Sequence, residues 1–220
     1  MKENRIRIRK SLQRLLFPVH CPLCDRILGR HEELVCESCT GKEKAQLRSF
    51  GFGCAPFSYT GAVRQSVKRF KYSGRVEYAD YFAERILHTC GTQLRSWNGL
   101  VLIPVPVHHT RLLQRGYNQA EVLVHALSRR TGIPCASHTV IRRRKTQPQN
   151  GLGVAERREN VKGAFALRKR AKLPESVILV DDIYTTGSTL GEIRKLLRES
   201  GVREIHAVCV CVAIQEPDVV

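Results

Sequence analysis

From about Phe52 onward, short apolar runs alternate with segments of helical period. Leu100–Val105 and Val177–Val180 are continuous apolar runs, the pattern of strands covered on both faces. Gly61–Tyr72, Val76–Cys90 and Tyr117–Thr131 read as helices. So does the segment running to Ser200, where Leu190, Ile193 and Leu197 fall at i, i+3 and i+7. Ala55–Tyr59, Cys135–Ile141, Phe165–Leu167 and Ile205–Ile214 read as further strands. Strands alternating with helices predict an α/β fold with a mostly parallel, doubly wound sheet. Ligands of such sheets bind outside the carboxyl ends of the strands. The start of the chain breaks the pattern. Ile6, Ile8, Leu12, Leu15 and Leu16 suggest a short basic helix, and closely spaced cysteines follow. The expected division is residues 1–50 as a small module and 51–220 as the α/β domain.

One strand end carries the densest chemistry. Val177–Val180 runs into Asp181 and Asp182, then Thr185, Thr186, Gly187, Ser188 and Thr189, then a helix. A helix N-terminus offers unpaired N–H groups and positive dipole potential to a phosphate. The glycine allows close backbone approach, the hydroxyls donate hydrogen bonds, and carboxylates accept from sugar hydroxyls. An ordinary strand end, with Asp182 in a turn and Ser188 as an N-cap, would account for one acid and one hydroxyl only. The segment resembles the phosphoribosyl-pyrophosphate (PRPP) signature of type I phosphoribosyltransferases. The resemblance implies that Asp181 and Asp182 hold the ribose hydroxyls, that Thr185–Thr189 wrap the 5′-phosphate, and that Mg²⁺ accompanies PRPP. In an extended strand neighbouring side chains point to opposite faces, so both acids meet one ligand only if the chain is already turning there.

Two further segments add cations. After Leu100–Val105 come Arg111, Arg115 and Gly116, which read as a helix start where guanidinium groups meet pyrophosphate, or as a solvated helix start and a turn. The long polar stretch from Arg142 to Phe165 reads as an irregular loop. Phosphoribosyltransferases carry a closing hood at that place, and Arg143 or Lys145 could reach the pyrophosphate from it; a basic loop without that role is the alternative.

Cys21-Pro-Leu-Cys24 and Cys36-Glu-Ser-Cys39 are two C-x₂-C pairs. Each presents two thiolates on one side, and together they fit a structural, tetrahedral Zn²⁺ site. A redox pair is the weaker reading, and His20 or His31 could replace one ligand. Cys54, Cys90, Cys135, Cys209 and Cys211 have no partner at ligand spacing and read as core.

Charge changes the picture most. The 220 residues carry a formal net charge of +17, and eleven Lys or Arg fall between Arg142 and Lys172 against two acids, Glu156 and Glu159. This excess points to a polyanion, nucleic acid before membrane, unless it is only a solvated surface. Arg142, Arg143, Arg144, Lys68 and Lys71 are the candidate contacts, with Phe70 and Tyr72 either stacking bases or serving as a core Phe and a capping Tyr. No apolar run approaches the ~20 residues of a membrane span. The basic start lacks a continuous apolar core, so a cytoplasmic location is expected.

The order of a four-Cys knuckle, Lys71-Tyr72-Ser73-Gly74, Arg115-Gly-Tyr-Asn-Gln-Ala120, Arg143-x-Lys-Thr146, Gln149, Leu152, Arg157, Asn160, Gly163-Ala-Phe165 and Asp181–Thr189 resembles the ComF family over nearly the whole chain. That family joins a zinc finger to a phosphoribosyltransferase-like domain and is linked to uptake of single-stranded DNA in natural transformation. The resemblance implies a competence factor that binds PRPP and single-stranded DNA beside a helicase partner. The competing expectation is a salvage enzyme transferring phosphoribose to a nucleobase. It would need a base-binding segment, which the sequence does not reveal. A redox-sensing zinc regulator is a third, resting on the cysteine pairs alone.

Overall fold

The computed structural model describes residues 18–97, 100–146 and 153–213. The expected basic N-terminal helix, the motif residues Gln149 and Leu152, and Ile214 lie outside the described residues.

The apolar run Val177–Val180 forms the centre of the protein. It belongs to β7 (Ser176–Tyr184), which pairs in parallel with β8 (Glu204–Val212) on one side and β4 (Leu100–Pro104) on the other. Beyond β8 lies a hairpin of β2 (Gly53–Ala55) and β1 (Arg48–Phe50), with β2 parallel to β8 and β1 antiparallel to β2. The strand order is β1-β2-β8-β7-β4, and β3 (Phe57–Ser58) pairs further along β8. Pro56 explains why the expected Ala55–Tyr59 strand is two pieces: proline has no N–H for the ladder.

Alternation along β7 assigns its two faces. Ile178 and Val180 pack into one apolar cluster with α1 (Gly61–Tyr72), α2 (Tyr78–Ser96) and α4 (Gln119–Thr131). Val177 and Leu179 pack into a second cluster with α6 (Ser188–Glu199), whose Leu190, Ile193 and Leu197 face the sheet. The short helix α3 (His109–Arg115) follows β4. The doubly covered, mostly parallel sheet is as the sequence pattern predicts.

The expected Cys135–Ile141 strand does not form as one element. Cys135 makes an isolated bridge to Leu102, a turn closed by Thr139 N–H to Ala136 O follows, and β5 is Val140–Arg142. It pairs antiparallel with β6 (Phe165–Leu167) as a separate ribbon at the base of the basic loop. That loop also contains a helix, α5 (Val154–Val161), where irregular chain was expected. Its start is fixed by Glu156, whose carboxylate accepts from the Gly153 N–H at 2.7 Å.

Candidate functional site

A cleft of about 530 Å³ opens over the carboxyl end of β7. Asp181 and Asp182 line it, but not because the chain turns: β7 continues through both to Tyr184, against the expectation of a strand ending at Val180. By alternation, Asp182 falls on the α1 face and Asp181 on the α6 face. Asp182 is 3% exposed. Lys71, reaching in from the last turn of α1, places its ammonium 3.0 Å from the Asp182 Oδ2. Burial would lower the Lys71 pKa, but the two carboxylates outweigh it and raise it, so the ammonium stays charged. Asp181 is shifted upward, to about 8, by burial first and by the Asp182 charge second. Side by side, two acids and one cation share the end of a strand.

The chain then turns through Thr185 and Thr186 to Gly187, which has φ +73 and is the N-cap of α6. A Cβ there would lie 2.6 Å from the Tyr184 hydroxyl, so backbone and packing both require glycine. Thr186 and Ser188 hydroxyls lie 2.7 Å apart. The first turn of α6 carries no acid, so no side-chain charge opposes an anion there. Ser188 is the first helical residue, not the cap.

Cations close the cleft. Lys68, Lys71, Arg111, Arg115, Arg142 and Arg157 all line it against the two acids. Arg115 donates to Gln119 Oε1 at 2.9 Å and lies 4.7 Å over the Tyr72 ring. Arg142 is brought down to about 10, by burial first and the Arg111 charge next. Six cations against two acids suit the cleft to a multiply charged anion.

The four cysteine sulfurs of Cys21, Cys24, Cys36 and Cys39 all lie within 4.8 Å of one another. Cys24 and Cys36 are 3.6 Å apart. A tetrahedron of thiolates about 2.3 Å from zinc has edges of about 3.8 Å, so the cluster fits such an ion. Burial opposes ionisation of Cys36, but hydrogen bonds from Cys39 and Arg26 outweigh it and bring the thiol down to about 7. The unit is anchored to the α1–α2 corner. Arg69 donates to the carbonyls of Pro22 and Leu23 at 2.9 and 3.2 Å. Asp25 accepts from Arg75 at 2.9 Å and from the Tyr78 hydroxyl at 2.6 Å.

Residues 116–219 match the family model for the phosphoribosyl transferase domain. The chain is 42% identical over 146 residues to Competence protein F of Haemophilus influenzae, covering 64% of this chain and 63% of that protein. It is 32% identical over 198 residues to the DNA utilization protein YhgH of Salmonella typhi, covering 87% and 83%. The chain belongs to the ComF family. It is also 25% identical over 199 residues to Competence protein ComFC of Streptococcus pneumoniae, covering 84% of each.

Within this ComF chain the matched domain holds Gly116, Asp181, Asp182 and the Thr185–Thr189 turn. Lys71, Arg111 and Arg115 line the same cleft from outside the match. Several sequence-based expectations change. Arg115 and Gly116 do not open a helix: Arg115 ends α3, and Gly116 caps it at φ +80. A left-handed glycine after a last-turn arginine is a C-cap signature. Arg143 and Lys145 are exposed and do not line the cleft. Arg144 donates to the carbonyls of Asn160 and Lys162 at 3.2 and 2.7 Å, stapling the loop base. Lys71 points into the cleft, not outward. Phe70 is buried against Phe82 and is core; Tyr72 is exposed under Arg115. Sequence reasoning missed the pairing of Lys71 with Asp182. The signal available was helical spacing: Val63, Ser66, Val67 and Phe70 set the buried stripe of α1, and Lys71 falls at its edge.

Proposed function

We propose that the cleft binds PRPP with Mg²⁺ and that the chain handles incoming single-stranded DNA during natural transformation. The observation that carries the ligand is the joining of Asp181 and Asp182 to the Thr185–Thr189 turn of α6 in one cation-lined cleft. Asp181 and Asp182 accept hydrogen bonds from the ribose hydroxyls. Thr185, Thr186, Gly187, Ser188 and Thr189 hold the 5′-phosphate with the helix end behind them. Arg111, Arg115 and the Gly116 turn serve the pyrophosphate, with Arg143 and Lys145 joining from the hood only when it closes. Asp181 and Asp182 are the carboxylates that would hold Mg²⁺, which screens the pyrophosphate charge when bound. Lys71 partners the buried Asp182 side chain until a ligand arrives.

The pathway reading draws on the relatives named for competence and DNA utilization, and on the +17 charge. The strand lies along the basic segment Arg142–Lys172 and the exposed Lys68 at the cleft rim, with a helicase as partner in the cytoplasm. Zinc at Cys21, Cys24, Cys36 and Cys39 is structural: four thiolates complete a tetrahedron.

Calorimetry with PRPP and Mg²⁺ tests the ligand. Losing a charge-assisted hydrogen bond costs ~1.5–3 kcal/mol, so Asp181→Ala with Asp182→Ala weakens binding at least about tenfold. Equal affinity in the double variant and the parent overturns the assignment. Formation of a nucleotide from PRPP and a free nucleobase would replace the DNA reading with salvage.

A further inference from the structure

A second cavity, of about 730 Å³, opens at the opposite ends of the same strands. Its lining includes Glu204, Ile205 and His206, where β8 begins. Val212, at the cleft end of β8, is six residues beyond His206, about 20 Å at ~3.3 Å per residue. None of the residues given above to PRPP lines this cavity.

Its walls combine aromatic surface with positive charge. Trp97, just after α2, stacks on His206 with ring centroids 4.1 Å apart and planes 8° apart. Phe52, in the β1–β2 turn, lies 4.4 Å beneath the Arg194 guanidinium. Arg194 and Arg198 sit one turn apart on α6, and Arg203 follows, against the single acid Glu204. Arg198, in the last turn of α6, also offsets the negative end of the helix dipole. Arg203 has a loose ion pair with Glu175 at 3.7 Å. Arg194 lies in mid-helix, and its buried Nε has no hydrogen-bond partner among the described residues. On α2, which covers the other face of the sheet, the Gln93 Oε1 also lines this cavity and is likewise buried without a hydrogen-bond partner among the described residues. An unmatched donor and an unmatched acceptor thus flank a flat aromatic face under excess positive charge.

A nucleotide complements that arrangement. Its phosphate meets guanidinium groups, its base stacks on an aromatic face, and its base edge both donates and accepts. We propose that this distal pocket binds a nucleotide unit, with the base against Trp97 and the phosphate against Arg194, Arg198 and Arg203. The unit comes either free or as one residue of a single strand, and the site is separate from the PRPP cleft.

Trp97 is the one tryptophan in the 220 residues, so intrinsic fluorescence reports on this pocket. The full-length, zinc-loaded protein is titrated with dTMP and, separately, with a ten-residue oligo-dT, while anisotropy of a labelled oligo-dT follows total strand binding. Saturable quenching is expected. Arg198→Glu with Arg203→Glu should weaken it at least tenfold while leaving thermal unfolding and zinc content unchanged; Arg198→Lys with Arg203→Lys should keep most of it. Quenching by both probes identifies a free-nucleotide pocket, and quenching by the oligomer alone identifies a strand contact; either supports the site. Strand binding without quenching, quenching indifferent to the arginine reversals, or quenching abolished by PRPP overturns the pocket. The first two leave the DNA-handling reading intact. Absence of both signals removes the two together.

Discussion

In β7 the residues Val177–Val180 are each fully buried, and the sheet holds itself by apolar area on two faces. In the cysteine unit the buried set is Cys21, Pro22, Leu23, Leu28 and Cys36, too small a core to offset the entropy of ordering the chain alone, and its apolar side chains join the cluster under α1 and α2. A set of directed contacts adds to that shared packing. Asp25, Arg69, Arg75 and Tyr78 tie the unit to the α1–α2 corner, and four cysteine sulfurs lie together at metal-ligand spacing. Burial and Arg26 act oppositely on Cys36, whereas nothing on β7 before Asp181 titrates. The sheet is a product of surface burial. The cysteine unit has, besides its share of that core, a few directed bonds, each individually removable.

The largest effect that separates the two regions is metal loss. Structural zinc supplies ~10–16 kcal/mol of apparent folding energy in small finger peptides. Cys21→Ser with Cys24→Ser is therefore expected to abolish zinc in elemental analysis and to remove hydrogen-exchange protection around Cys21–Cys39. The β7 and β8 amides should stay protected. Loss of protection in both regions together would break the comparison. Next comes Leu179→Ala, a cavity in the sheet, expected to cost ~2–5 kcal/mol in denaturant unfolding with the zinc stoichiometry unchanged. Asp25→Ala removes the acceptor of Arg75 and Tyr78. Both partners of the Arg75 pair are about a quarter to a third exposed, so solvent screening keeps the loss near ~1 kcal/mol, seen as faster zinc release to a chelator.

A different kind of effect is pH-dependent. Asp181 is raised to about 8, so between the ordinary carboxylate range and pH 8 the folded state holds a proton that the unfolded state gives up. Its contribution to stability is complete below about pH 4 and is lost as pH rises towards 8. Asp181→Asn, which cannot ionise, should gain in Tm over the parent across that window and level off above it. A Tm difference that is flat with pH would show that Asp181 is not held in its neutral form.

Much of this was legible in the chain. Val177–Val180 and Leu190-Ile193-Leu197 carry their periods openly, because burial on a regular element leaves a regular pattern. The cysteine spacing is legible for the same reason: tetrahedral ligation fixes local geometry. The continuation of β7 through Asp181 to Tyr184 was not, because two carboxylates in a strand contradict propensity and are tolerated only beside Lys71. That partner lies over a hundred residues away in sequence, and no local rule reaches it. Arg115-Gly116 was misjudged as a helix start because a polar, cationic turn looks alike at either end of a helix, and only the backbone angle of the glycine tells them apart. The hairpin Arg48–Ala55 escaped because its strands are three residues each, shorter than any window of alternation.

Helix α1 has one more implication. Arg69 grips the Pro22 and Leu23 carbonyls of the cysteine unit, and Lys71, two residues on, holds Asp182 in the cleft. A single helical turn is a stiff lever, and here its two arms end on different chemistry. If zinc holds the cysteine unit as proposed, its chelation is expected to free the Arg69 contacts and, through the same helical turn, to loosen Lys71 against Asp182. Under the proposed function, zinc content would then be a quality criterion for any preparation whose sugar-phosphate affinity is compared with another's.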